Sequence, residues 1–244
     1  MSKQTWKPGN MLYPVPAVMV SCKRGEEKTN IITLAWAGTI CSDPAMISIS
    51  VRPERYSYDI IKDSGEFVVN LVNDRLTYAC DWCGVRSGRD NDKFKEMKLT
   101  EYKSDMLNTP AIAESPVNIY CKVMQCLPLG SHHMFLGQVQ GVTVDESYMD
   151  ENGRFRLDKA GLIAYSHGEY FALGEKLGSF GEKIQKLSPK ERMVKIRKIV
   201  SKELNTQQKR IISAFPRIHS AKYGNAIKTV KEFLRDKNGG KRKK

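Results

Sequence analysis

Residues 29–57, TNIITLAWAGTICSDPAMISISVRPERYS, decide the fold. Two β-branched runs, 31–37 and 46–51, flank Ser42-Asp43-Pro44, a turn signal, so the stretch reads as two short strands. Ser48 and Ser50 alternate along the second run and share one face. That face is either inward, where the hydroxyls need polar partners, or exposed. Immediately after Val51 come Arg52, Arg55, Tyr56 and Ser57, which gather guanidinium forks and hydroxyls, the donor set a phosphate takes. Ser57 also stands near the start of a helical pattern, where free backbone N–H groups favour an anion. Trp36 is either a core aromatic or a flat surface for a heterocycle. The stretch as a whole reads as a site for a planar phosphorylated cofactor on a β-framework.

The neighbouring sequence extends that framework. Residues 11–21 are apolar and punctuated by prolines, 67–72 reads FVVNLV, and 118–127 and 135–144 form a pair across Pro128-Leu129-Gly130. Short β-branched and aromatic runs with short breaks fit a barrel better than a parallel sheet with crossover helices. Residues 56–64 read as a helix with Ile60 and Ile61 on its buried face, and 76–83 as a second that stops at Gly84. No internal repeat is present.

Composition narrows the class. The 244 residues, 41% of them hydrophobic, suffice for a sizeable core. No apolar run approaches the roughly 18 residues of a membrane-spanning helix, and MSKQTWKPGN lacks the apolar centre of a secretory signal, so a cytoplasmic protein is expected. Six scattered cysteines do not make a disulfide framework. Cys80-Asp81-Trp82-Cys83 is open to a structural, a redox or a metal-binding reading, but no second pair stands ready to complete a zinc site, and no metal is expected. The net charge of +13 divides unevenly: residues 1–181 carry −2 and residues 182–244 carry +15.

Taken in order, several segments resemble the FMN-binding split-barrel proteins, and within them the flavin reductase-like or flavoredoxin family. They are PVPAVMVS (14–21), the stretch 29–57, GEFVVNLV (65–72), CDWCGVRSGRDNDKF (80–94), GSHHMFLGQV (130–139) and YFALGEKLGSFG (170–181). The resemblance implies a mainly β split barrel over residues 1–181 that binds FMN. It places the flavin against Thr33, Leu34, Ala35 and Trp36, with Ser48, Ser50, Val51, Arg52, Arg55, Tyr56 and Ser57 around its polar atoms and phosphate. It brings Ser87 and Lys93 beside the flavin, although composition alone makes Lys93 a surface lysine in an exposed loop. Lys93 would then stabilise the reduced cofactor. His132, with His133 as its adjacent competitor, would guide a donor or shuttle a proton. Family members are expected to be homodimers. Since no GxGxxG follows a strand, NAD(P)H would stack directly on FMN; a protein donor is the other option.

The resemblance stops near residue 181. In residues 182–244, Ser188-Pro189-Lys190-Glu191 is a helix start, followed by apolar residues at helical spacing (Met193, Ile196, Val200, Leu204) and two further such runs around Ile211–Phe215 and Tyr223–Phe233. This basic helical extension either packs on the body or a dimer mate, or meets nucleic acid, or docks an acidic electron-transfer protein. The functional expectation is therefore an FMN-dependent oxidoreductase, with a split-barrel binding module as the alternative.

Overall fold

The computed structural model describes residues 1–180. The helices expected beyond residue 188 lie outside the described residues, and so does their role. One compact unit spans Met1–Glu175.

The runs rich in β-branched residues become strands. β1 is Val15–Pro16, β2 Val18–Cys22, β3 Asn30–Leu34, β4 Ala37–Ser42, β5 Ala45–Val51 and β6 Glu66–Leu71. After the helices come β7 Glu101–Ser104, β8 Leu107–Ile112, β9 Val117–Pro128, β10 His133–Val144, β11 Ile163–Ser166 and β12 Glu169–Ala172. Seven of them form one antiparallel sheet in the order β3-β2-β6-β9-β10-β5-β4. Its two edge strands, β3 and β4, are consecutive in the chain, linked only through Ala35 and Trp36. The sheet must therefore curl until its edges nearly meet, which makes a half-open barrel.

This corrects the reading of 31–37 as one strand. Leu34 ends β3 in the core, the chain bends at Ala35 and Trp36, and Ala37 then pairs with Ile49 on the other edge. Neither glycine nor proline marks the bend, so the sequence carries no punctuation there. The Ser50 N–H donates to the Trp36 carbonyl at 2.9 Å and pins the corner to β5.

The two faces of β2 explain why it is buried throughout. Val18, Val20 and Cys22 join Ile32, Ile49, Phe67 and Phe135 inside the barrel, while Met19 packs outside with Ile31, Cys80, Cys83 and Phe94. Gly137 on β10 is a packing requirement: a Cβ there would stand 2.5 Å from the Phe67 ring.

Helix α1, Tyr56–Ser64, fills the barrel interior with Tyr58, Ile60 and Ile61, as its periodicity predicts. Helix α2, Thr77–Val85, covers the outer face of β2 and β3 with Ala79, Cys80 and Cys83. The short helix α3, Lys93–Glu96, is opened by the Asp92 carboxylate, which accepts the Lys95 N–H. A buried Asn70 ties the layers together: its amide donates to the Met19 carbonyl at 2.9 Å and its oxygen accepts from Ile112 N–H and the Asn118 amide, both at 2.9 Å.

Candidate functional site

The start of α1, the front of β3 and the loop between α2 and α3 converge on a cavity of about 180 Å³. Asn30 and Ile32 come from β3, Arg55, Tyr56 and Ser57 from the helix start, Cys83 from α2, Arg86 to Arg89 from the loop, and Lys93 from α3. Five of the residues expected to touch a cofactor (Arg55, Tyr56, Ser57, Ser87 and Lys93) are thus brought together.

Lys93 overturns the composition-based expectation of a surface lysine. Its side chain is buried, only 3% exposed, because α3 lays it across β3 and α2. Its ammonium donates to the carbonyls of Ile31 and Cys83, each at 2.6 Å. An ammonium has three donors, so among the described residues one is not committed, and the side chain lines the cavity. Among the described residues no carboxylate pairs with it: the titratable groups that act on it are the Cys83 and Cys22 thiols and the Arg55 guanidinium. Desolvation is the largest influence and holds its pKa below the usual lysine value. A desolvated cation without a counter-ion is costly in any fold and calls for an anion.

The surroundings supply further donors. The N-cap residue Arg55 makes no side-chain capping bond, and of the first turn of α1, whose residues Tyr56 and Ser57 line the cavity, the Tyr58 N–H is taken by the Arg55 carbonyl at 2.9 Å. Ser57, buried at the second helical position, accepts from the Asn30 amide at 2.8 Å. Gly88 lies so close to Asn30 that a Cβ would fall 2.0 Å from its oxygen, which fixes glycine in this loop. Arg89 lies over the Tyr56 ring at 5.4 Å. Beneath the cavity, Cys22 contacts Ser57 and Asn30, and burial pushes its thiol up to about 12.

The other expected residues lie apart from this cavity. Arg52 is exposed and pairs with Glu54 at 2.9 Å rather than lining it. Val51 is buried in the barrel and pairs with His133, and Leu34 is likewise a core residue. The Thr33 hydroxyl is committed to the Cys80 carbonyl. Ser48 and Ser50 take the face of β5 opposite to its buried isoleucines, half-buried, with the Ser48 hydroxyl 3.5 Å from the Gly38 carbonyl. Trp36 is half-buried at the corner beside Tyr13, with ring centroids 6.0 Å apart.

The adjacent histidines separate cleanly. His133 begins β10 and turns to Tyr58, its Nδ1 2.7 Å from the phenol oxygen. His132 sits in the preceding loop, its Nδ1 3.0 Å from Ser131 Oγ. Burial and, after it, the Arg52 charge lower its pKa, while Glu54 opposes them. The Cys80 and Cys83 pair is buried and unbonded, with thiols raised to about 12 and about 11, chiefly by desolvation. Such thiols stay protonated at neutral pH and pack as small core residues. Among the described residues no cluster of metal-ligating side chains is present. Asn30, Gly88 and Arg89 escaped the sequence reading. Arg89 alone had a signal, a further guanidinium two residues from Ser87.

The flavin reductase like domain model matches residues 10–174. The flavoredoxin of Desulfovibrio vulgaris (Miyazaki F) superposes with a TM-score of 0.68 at 29% identity, over 73% of this chain and 97% of that one. A flavoredoxin from Methanosarcina acetivorans superposes at 0.66 with 23% identity, over 75% of this chain and 100% of its own. In sequence, the reductase component of the FADH(2)-dependent resorcinol hydroxylase of Rhizobium sp. (strain MTP-10005) is 21% identical over 152 residues, 60% of this chain and 82% of that protein. The chain belongs to the flavin reductase-like family, a class of flavin-linked oxidoreductases built on the split barrel.

Proposed function

We propose that this chain is a flavin-dependent oxidoreductase that holds FMN by its phosphate at the Lys93 cavity and takes electrons from NAD(P)H. The observation that carries the reading is the buried Lys93 ammonium, which among the described residues has no carboxylate partner and commits two of its three donors to carbonyls. The donor set fits a phosphate: an ammonium, the guanidinium groups of Arg55 and Arg89, the Ser87 and Ser57 hydroxyls and the α1 N-terminus. A bound flavin supplies hydride acceptance from the nicotinamide and onward transfer of the electrons.

The residues divide the remaining work. Lys93, Arg55 and the α1 N-terminus hold the phosphate and fix the cofactor's register. Ala35 and Trp36, with the backbone of Thr33 and Leu34, border the ring, and Ser48 and Ser50 lie on the adjacent strand as polar neighbours. His132, at the rim beside Arg52 and Glu54, orients the donor and is neutral near pH 7 because its pKa is lowered. Homodimer formation belongs to the same proposal, supported by the half-exposed Ile40 on edge strand β4. The charge of +15 on residues 182–244 supports an additional polyanion contact, which a salt-sensitive gel shift would reveal.

An absorption spectrum of the purified protein, recorded anaerobically before and after NADH or NADPH, tests the reading. Flavin bands that bleach with either nucleotide are expected. A colourless protein that takes up neither FMN nor FAD would refute it.

A further inference from the structure

Strands β9 and β10 carry a second group of reactive side chains, none of which lines the Lys93 cavity. Cys126 on β9 pairs with Phe135 on β10, and His133 stands two residues before Phe135, so all three share the face turned into the barrel. Helix α1 lays Tyr58 over them, its ring centroid 5.3 Å from that of His133 and 5.4 Å from that of Phe135. The phenol oxygen lies 2.7 Å from His133 Nδ1 and is hydrogen-bonded to the Cys126 thiol as well.

A phenol both gives and receives a hydrogen bond. Set between a thiol and an imidazole, it joins them: the thiol donates to the phenol oxygen, and the phenol donates to Nδ1. Moving each proton one place along leaves a thiolate at Cys126 and an imidazolium at His133. Burial, and after it the Cys126 charge, hold the Tyr58 phenol above its usual pKa, so the negative charge rests on sulfur rather than on the phenol. Lys62, 6.0 Å from the ring centroid, and Asp59 are the other charges beside Tyr58 among the described residues. Cys121 on the same strand is fully buried, and burial pushes its thiol up to about 12. Cys126 is only half-buried and open to a small reactant.

We propose that Cys126 is a peroxide-reactive thiol, with Tyr58 and His133 as the relay that takes its proton and returns it to the leaving oxygen. The thiolate attacks one oxygen of hydrogen peroxide and the O–O bond breaks. Hydroxide leaves as water, carrying the proton that His133 passes back through Tyr58. Sulfur loses two electrons and becomes a sulfenic acid, so one thiol and one hydrogen peroxide give one sulfenic acid and one water. Proton return matters for an oxygen leaving group, because hydroxide is far more basic than the thiolate a disulfide releases. The relay therefore favours a peroxide over a disulfide.

Treating the full-length protein with hydrogen peroxide and then dimedone, which caps sulfenic acids, and reading the peptides by mass spectrometry provides the test. Cys126 is expected to be the first cysteine capped. At pH 7 an ordinary thiol with a pKa near 8.5 is only a few per cent ionised, so a relay that completes ionisation speeds the reaction by up to about thirtyfold. Tyr58→Phe, which keeps the ring, and His133→Gln should each slow capping about tenfold at pH 7 and much less at pH 9.5, where the thiol ionises unaided. A purely structural role would act in the opposite direction, since loosening this face exposes Cys126 and speeds its capping. Reaction with oxidised glutathione should slow less than reaction with peroxide in both variants. Earlier capping of another cysteine, or unchanged or faster capping of Cys126 in both variants, would overturn the proposal. Equal slowing with the two reagents would overturn the assignment to peroxide.

Discussion

The Lys93 cavity and the corner at residues 33–36 grow from the same strand, β3, yet they offer opposite things. The cavity presents side chains: three guanidinium groups, a buried ammonium and hydroxyls, delivered by β3, α1, α3 and a glycine-fixed loop. The corner has its side chains committed to the fold, Thr33 to α2 and Leu34 to the core, and in the proposed function only backbone and the half-buried Trp36 indole border the ring. Strong, directed charge holds; a neutral backbone edge lets the held group react. In the proposed function, affinity therefore resides at the cavity and chemistry at the corner.

Lys93→Met should break this division most severely. Loss of one partner from a buried charge pair costs about 3 kcal/mol, roughly a hundredfold in FMN affinity. The same change removes a buried cation without a counter-ion but leaves the Ile31 and Cys83 carbonyls unpaired, two opposed effects of a few kcal/mol, so the flavin-free protein should change little in stability, checked by thermal unfolding. Retained affinity would place the phosphate elsewhere; a large fall in melting temperature would make Lys93 structural.

Arg55→Ala combined with Ser57→Ala should weaken FMN by about tenfold or more, since charge-assisted bonds contribute about 1.5–3 kcal/mol each. Turnover at saturating FMN should change far less, which separates holding from reacting. Stoichiometric flavin retained through dialysis would contradict this.

The titration of Lys93 gives a smaller, pH-dependent effect. Its folded pKa lies below the ordinary value of 10.5. Between the two the unfolded chain binds more protons, so flavin-free stability should rise as pH increases through that window. FMN affinity should move the other way, falling as the ammonium loses its proton. Measuring both from pH 7 to 10.5 should show opposite slopes, which Lys93→Met flattens.

Arg52→Ala is the mildest case. Arg52 is exposed and paired with Glu54, and such surface pairs contribute about 0–1 kcal/mol. FMN affinity should stay within about twofold; a tenfold loss would extend the cradle beyond the cavity.

Local pattern made much of the fold legible. The turn at Asp43-Pro44, helix α1 and the β9–β10 hairpin are announced by punctuation and periodicity within a few residues. The bend at Ala35 and Trp36 has no such mark, being imposed by closure of the barrel. The hairpin of β7 and β8 is equally silent, since Pro110 interrupts its second strand and its pairing with the body runs through Asn70. At the site, Arg55, Tyr56 and Ser57 are contiguous and could be read as a donor cluster. Lys93 could not: its burial depends on carbonyls at Ile31 and Cys83, and Ile31 is 62 residues away. Asn30 and Gly88 meet for the same long-range reason.

A parallel titration of the flavin-free protein with FMN and with riboflavin, which differ by the phosphate alone, bears most directly on the buried Lys93 as a phosphate anchor. FMN should bind at least about a hundredfold more tightly, and Lys93→Met should erase most of that difference. Equal affinity for the two flavins in the wild-type protein would contradict the account.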